Sequence, residues 1–169
     1  MSLTLKVNFK KGWPSPSIVE KVSAPAAGVT TLEAGMVGHL DANGKWVLGV
    51  SGVAQLPYVF RNSQGDPDAN RGVPSGAMYV AADLGGIQGI AHSNAIEYQT
   101  VQYAGAPAVG DQLYADTDGA LKVAINEAGV MVTASKVVVA VVTKGVHKYQ
   151  DGSYIQVIPD NSKRLSPAT

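Results

Sequence analysis

The chain contains no cysteine. Disulfides, zinc–thiolate centres and thiol nucleophiles are thereby excluded. Charge is scarce as well: Asp, Glu, Lys and Arg make up 15% of the residues, against about 25% in an average soluble protein. Lys plus Arg (13) balances Asp plus Glu (13), so no basic excess exists to neutralise many phosphates, and nucleic acid is not an expected partner. A surface this poor in charge suits faces that partners cover, or a β-rich exterior of Ser, Thr, Asn and Gln. No apolar run approaches the roughly 18 residues needed to cross a bilayer, so no membrane partner is expected. Residues 1–9 alternate in polarity and lack the apolar stretch of a secretory leader, which predicts a soluble protein without an export signal. At 169 residues a chain can bury roughly 70% of its unfolded surface and needs no staple.

Catalytic and metal-binding patterns are missing too. His39, His92 and His147 are far apart in sequence and form no His-x-His or His-x-x-x-His pair. No Gly-x-Ser-x-Gly elbow occurs. Gly85-Gly86-Ile87-Gln88-Gly89 lacks the strand–turn–helix context of a phosphate cradle. Asp116-x-Asp118-Gly119 resembles the middle of a calcium loop, but Tyr114 and Ile125 stand where such a loop requires an acid and a bidentate glutamate. The carboxylates are better read as turn residues. Neither cofactor nor metal is expected, and the chain is not expected to be an enzyme, although two carboxylates brought together by the fold stay open as a glycosidase-like alternative.

What the chain does have is β patterning. Leu3, Leu5, Val7 and Phe9 alternate with polar residues, a period of two with apolar side chains on one face. Gly12-Trp13-Pro14-Ser15-Pro16 ends that strand. Segment 1–20 therefore reads as an extended arm, and Trp13, with no local way to bury itself, as an interface candidate. Short strands follow over 18–23, 29–50 and 53–60, the last interrupted by Pro57. Residues 61–76, from Arg61 through Arg71 to Gly76, form a long polar loop rich in Gly and Pro. Further strands are expected over 77–82, 95–103 and 136–142, the valine-rich last one buried on both faces. A closing hairpin carries Asp151-Gly152. Helical evidence is limited to a possible turn near 124–130. The division is an arm (1–20), one β domain (21–160, with 61–76 as a loop insertion) and a polar tail (161–169). The fold class is all-β: a small barrel or sandwich of short antiparallel strands.

One pattern occurs twice. Gly35-Met-Val-Gly-His-Leu-Asp41-Ala-Asn43-Gly44-Lys-Trp46-Val-Leu48 is matched by Gly110-Asp-Gln-Leu-Tyr-Ala-Asp116-Thr-Asp118-Gly119-Ala-Leu121-Lys-Val123, 75 residues further on. Each reads as strand, Asp-x-Asn/Asp-Gly turn, strand, with the glycine supplying positive φ and the first aspartate accepting backbone N–H groups. Duplication and independent use of a common turn are both compatible with this spacing.

The segments TTLEAGMVGHLDANGKWVL and APAVGDQLYADTDGALKVA, the valine strand and YQDGSYIQVIP resemble the capsid decoration (cement) proteins of tailed bacteriophages. The resemblance spans about residues 30–50 and 105–160. It implies a small β protein on the outer surface of the virion capsid, made in the host cytoplasm, bridging neighbouring major capsid proteins and self-associating as a trimer or dimer. The expected contact residues are Leu3, Leu5, Val7, Phe9, Trp13, Arg61 and Arg71. Other virion β-proteins (tail, baseplate or fibre) and a carbohydrate-binding module built on exposed Tyr and Trp are the alternatives.

Overall fold

The computed structural model describes residues 7–11, 20–29, 31–61, 79–80, 87–93, 96–133, 136–149 and 152–160. They contain strands and turns and no helix. The strands are β1 (Val7–Lys11), β2 (Glu20–Ser23), β3 (Thr31–Leu32), β4 (Val37–Leu40), β5 (Trp46–Leu48), β6 (Tyr58–Arg61), β7 (Tyr79–Val80), β8 (Ile87–Ala91), β9 (Glu97–Thr100), β10 (Gln112–Ala115), β11 (Leu121–Ile125), β12 (Ala140–Tyr149) and β13 (Gly152–Pro159). They form a six-stranded sheet, β1-β9-β13-β12-β10-β11, a five-stranded sheet, β2-β8-β6-β4-β5, and the small pair β3-β7. Every ladder is antiparallel. Of the two expected architectures the sandwich is the one found; neither sheet closes into a barrel.

The pattern seen twice in the sequence marks a much larger structural repeat. Read from one edge, β5-β4-β6-β8-β2 and β11-β10-β12-β13-β9 have the same order and the same chain sequence. Registers agree as well. β4 meets β6 at Val37↔Val59 and Gly38↔Tyr58, as β10 meets β12 at Gln112↔Val141 and Leu113↔Ala140. Just past β2, Pro25 touches Trp46 in a single parallel bridge, and just past β9, Tyr103 does the same with Leu121. The two main sheets therefore contain two copies of one five-stranded unit, with β1 added to the edge of the second and the pair β3-β7 outside both.

The turns show why such different sequences fold alike. In the first hairpin the Gly44 N–H donates to the Asp41 carbonyl (3.0 Å) and the Asp41 N–H to Lys45 (2.8 Å); in the second, Gly119 and Asp116 do the same (2.8 and 3.0 Å). Both glycines have positive φ, +69° and +81°, so the connection is a β-turn closed by a left-handed glycine, longer than the two-residue turn that Asn-Gly usually signals. Asp41 Oδ1 accepts the N–H groups of Asn43 and Lys45, whereas in the second copy Asp116 caps Thr117 and Asp118 caps Ala120. Residues 126–130, where a helical turn was a possibility, form a third version: Asn126 exchanges the same backbone bonds with Gly129 and Val130, and its Oδ1 accepts the Val130 N–H.

The main core lies between the sheets. Val37, Val59 and Ile90 of the five-stranded sheet pack with Tyr98, Leu113, Leu121, Val142, Ile155 and Val157 of the six-stranded one. The opposite face of the five-stranded sheet buries Trp46, Tyr58, Phe60 and Ile87 with Leu32. Trp46 is the centre of that second core: its Nε1–H donates to the Ile87 carbonyl at 2.9 Å, and the rings of Tyr58 and Phe60 meet it edge-on. The valine segment is buried on both sides as expected. Val137 and Val139 enter the main core and Val138 joins Tyr114 and Ala124 on the outer face, although regular strand pairing begins only at Ala140. Before β6 the expected strand is instead a loop over 51–57, held by Gln55 Oε1, which accepts the N–H groups of Ser51 and Gly52.

Candidate interaction surface

The residues expected at an interface separate into three groups. Val7 and Phe9 lie on β1, which pairs antiparallel with β9 of its own chain. Both are half-buried against the main core, and the Phe9 ring sits 5.9 Å from that of Tyr98. Within the segment read as an extended arm, residues 7–11 are thus the end strand of the six-stranded sheet, and Glu20 opens β2 of the other. The physical reason is that its apolar face needs cover and the edge of β9 offers it. Arg61 closes β6 in the other sheet, half-exposed and in register with Gln88. Leu3, Leu5, Trp13 and Arg71, most of the 61–76 loop, and the tail 161–169 lie outside the described residues.

Most aromatic side chains of the described residues are in the interior. Tyr58, Phe60, Tyr98, Tyr114 and Tyr154 are all buried. Burial pushes the Tyr98 hydroxyl far above the ordinary phenol range, so it stays protonated in its 2.6 Å contact with His92 Nε2.

Polar side chains are occupied by one another. On the face of the six-stranded sheet opposite Tyr98, Glu97 Oε1 accepts from the Thr143 hydroxyl (3.0 Å) and the Gln156 amide (2.6 Å). Gln99 donates to Gln156 Oε1 (3.3 Å) and to His147 Nε2 (2.7 Å). His147 Nδ1–H in turn donates to the Gly145 carbonyl (2.8 Å). The bonds branch from Gln99, one branch passing through Gln156 to the Glu97 carboxylate and the other through His147 to the Gly145 carbonyl. His39 is buried, with Nδ1 bonded to the Gly49 carbonyl (2.7 Å). Asp116 and Asp118 converge on Lys122 Nζ, at 2.7 and 3.3 Å. The Lys122 hydrogen bond, helped by the Thr117 N–H, holds the Asp116 carboxyl below its usual range, and the same two aspartates hold Lys122 above its own. The carboxylates of this turn serve a lysine, and among the described residues no three His, Asp or Glu side chains gather to hold a metal.

What the described surface does present is exposed apolar side chains, most of them on loops. Val22, Val53, Leu56, Val109, Val130, Met131, Val132 and Val146 are all exposed. Five of the eight lie in equivalent places: Val53 and Leu56 follow β5, and Val130 to Val132 follow β11. Sequence reasoning missed them because a few apolar residues in a loop carry no periodicity; only the repeat shows that the same connection is apolar twice.

Compared with family models, with curated proteins and with solved structures, the chain matches none.

Proposed function

We propose that this protein is a structural component of a virion that binds the outside of a phage capsid and stabilises it by bridging neighbouring major capsid proteins. The observation that carries the reading is the exposed apolar side chains distributed over loops of both repeats on a charge-poor β-sandwich. Free soluble proteins seldom leave such side chains clustered in water, and contact with partners removes them from it. The two Asp-turn hairpins that carry the likeness to decoration proteins are both antiparallel strand pairs closed by a left-handed glycine. Leu3, Leu5, Trp13 and Arg71 remain proposed capsid contacts. Many weak contacts of this kind, one set per capsid site, add up through multivalency.

The test is to mix the purified protein with undecorated phage heads and measure co-sedimentation and heat resistance of the heads. Saturable binding with a raised disruption temperature is expected. Absence of binding across heads of several tailed phages, with the protein folded, overturns the reading.

A further inference from the structure

Gln99 decides how the polar face of the six-stranded sheet is bonded. It lies on β9, opposite Gln156 of β13 in the ladder. Its amide nitrogen is 2.7 Å from His147 Nε2 and 3.3 Å from Gln156 Oε1. An amide nitrogen can only donate. His147 Nε2 is therefore an acceptor, and the ring proton sits on Nδ1, which donates to the Gly145 carbonyl at 2.8 Å. Only the neutral imidazole can accept on one nitrogen and donate from the other. At the far end Glu97 Oε1 accepts from the Gln156 amide (2.6 Å) and the Thr143 hydroxyl (3.0 Å), as an ionised carboxylate does.

A proton on Nε2 reverses this pattern. The cationic ring has two donors, so Nε2–H faces another donor unless Gln99 turns its amide over and offers Oε1. That oxygen then faces Gln156 Oε1, and Gln156 has to turn as well. Its oxygen in turn faces Glu97 Oε1, a contact between two acceptors that a proton on the Glu97 carboxyl removes. Each step forces the next because an amide has one donating and one accepting end. Gln99 is 3% exposed, so water is not at hand to absorb the mismatch at the first step.

We infer that His147, Gln99, Gln156 and Glu97 form a two-position relay, in which a proton taken up by His147 turns both amides and draws a second proton onto Glu97. The relay joins the bulge of β12 between Lys144 and His147 to the β9 residue in register with Lys11 of β1. The charges around it are few. Glu97 is the only carboxylate on β1, β9, β10, β12 and β13. The cations on these strands are Lys10 and Lys11 of β1 and Lys144 and Lys148 of β12, while β10 and β13 carry no charged side chain. The phenol of Tyr154 is in register with His147. Simple attraction would favour a charged His147 beside an ionised Glu97. The relay favours the opposite coupling, both groups holding a proton on the acid side or neither holding the extra one at neutral pH. The inference does not rest on the capsid reading.

The test follows the full chain by NMR through an acid titration. At neutral pH the His147 ring should carry its proton on Nδ1. As it takes up the second proton, the side-chain amide signals of Gln99 and Gln156 and the carboxyl carbon of Glu97 should change in step with it. Glu97→Gln puts at the far end an amide that can donate or accept, so the relay loses its preferred direction. His147 should then take up its proton at a pH higher by roughly 0.5–1 unit. Loss of a negative charge acting through space alone would move it to lower pH. Gln156→Met breaks the relay in the middle, and should raise the same pH while the Glu97 carboxyl no longer responds to His147. Backbone spectra confirm that each variant is folded, and Glu97→Gln, at a half-exposed position, suffices if Gln156→Met is not. A downward or absent shift in Glu97→Gln, or glutamine and Glu97 signals that stay fixed while His147 titrates, overturns the inference.

Discussion

Gly49 of the first repeat and Asp116 of the second are in backbone contact, so close that a Cβ added to Gly49 would stand 2.5 Å from the Asp116 carbonyl oxygen. At this point of the junction main chain packs on main chain, with a glycine as the condition for it. Gly44 gives the control: it too has positive φ, but a Cβ there meets nothing within 4 Å. Gly44→Ala should cost about 1 kcal/mol, the strain of a left-handed alanine. Gly49→Ala adds displacement of the second hairpin and should cost about 3 kcal/mol. Urea midpoints of the two variants check the difference, and equal values would mean the junction yields easily.

A second prediction concerns the core behind the five-stranded sheet. Trp46→Phe removes the donor to the Ile87 carbonyl and leaves a void, and should cost roughly 2–4 kcal/mol. A Cβ at Gly89 would lie 2.6 Å from Cη2 of Trp46, an atom that phenylalanine lacks. Gly89→Ala should therefore be damaging alone and milder in the Trp46→Phe background, with a coupling of at least about 0.5 kcal/mol. A double-mutant cycle by thermal melting measures it, and strict additivity would contradict the packing described.

These two sites show what was legible in the sequence. The turn residues Asp41, Gly44, Asp116 and Gly119 announce their hairpins because their chemistry is local. The alternation around Leu3 to Phe9 correctly marked a strand at Val7–Lys11, but not where it docks, since pairing with β9 joins residues some ninety positions apart. The repeat was visible over one hairpin only. Elsewhere equivalent positions hold different residues, Trp46 against Leu121 within the hairpin and Phe60 against Val142 beyond it, because Trp46 and Phe60 lie in the core behind the five-stranded sheet and Leu121 and Val142 in the core between the sheets. β8 lay hidden in a Gly-rich stretch because Gly89 is there to admit the Trp46 ring. The interaction surface was the least legible, since exposure of Val130 to Val132 is decided by how the 126–133 loop folds back.

The ion pair at the second hairpin sets a pH dependence of known sign. The Asp116 pKa is lowered on folding, so its stabilising effect is present above the unfolded carboxylate range and lost as pH falls through the lowered folded value. The Lys122 pKa is raised, so its effect is present below the usual lysine range and lost as pH rises through the raised one. Asp116→Asn should thus be slightly less stable than the wild type at neutral pH, and the gap should close in acid. Both groups are partly exposed, so added salt should shrink the gap too. Melting points of the two proteins across an acid series, at low and high salt, check this; a gap that widens in acid would reverse the assignment.

The last prediction bears on how capsid binding is to be tested. Removing residues 1–16 would be the direct probe of a capsid-binding arm, but that deletion takes away β1, and with it Val7, Phe9 and the cover over Tyr98. Phe9 is half-buried, so Phe9→Ala should cost about 1–2 kcal/mol, less than the 3–5 typical of a fully buried phenylalanine. The deletion should cost more, because it also strips the β9 ladder and exposes an edge. Loss of binding by the truncated chain would then mix two causes. Leu3→Asp with Leu5→Asp keeps β1 and changes only the apolar side chains proposed to touch the capsid. If those side chains carry binding, the double variant should melt with the wild type yet bind undecorated heads at least about tenfold more weakly. Wild-type affinity in that variant would move the contact from Leu3 and Leu5 to another face of the protein.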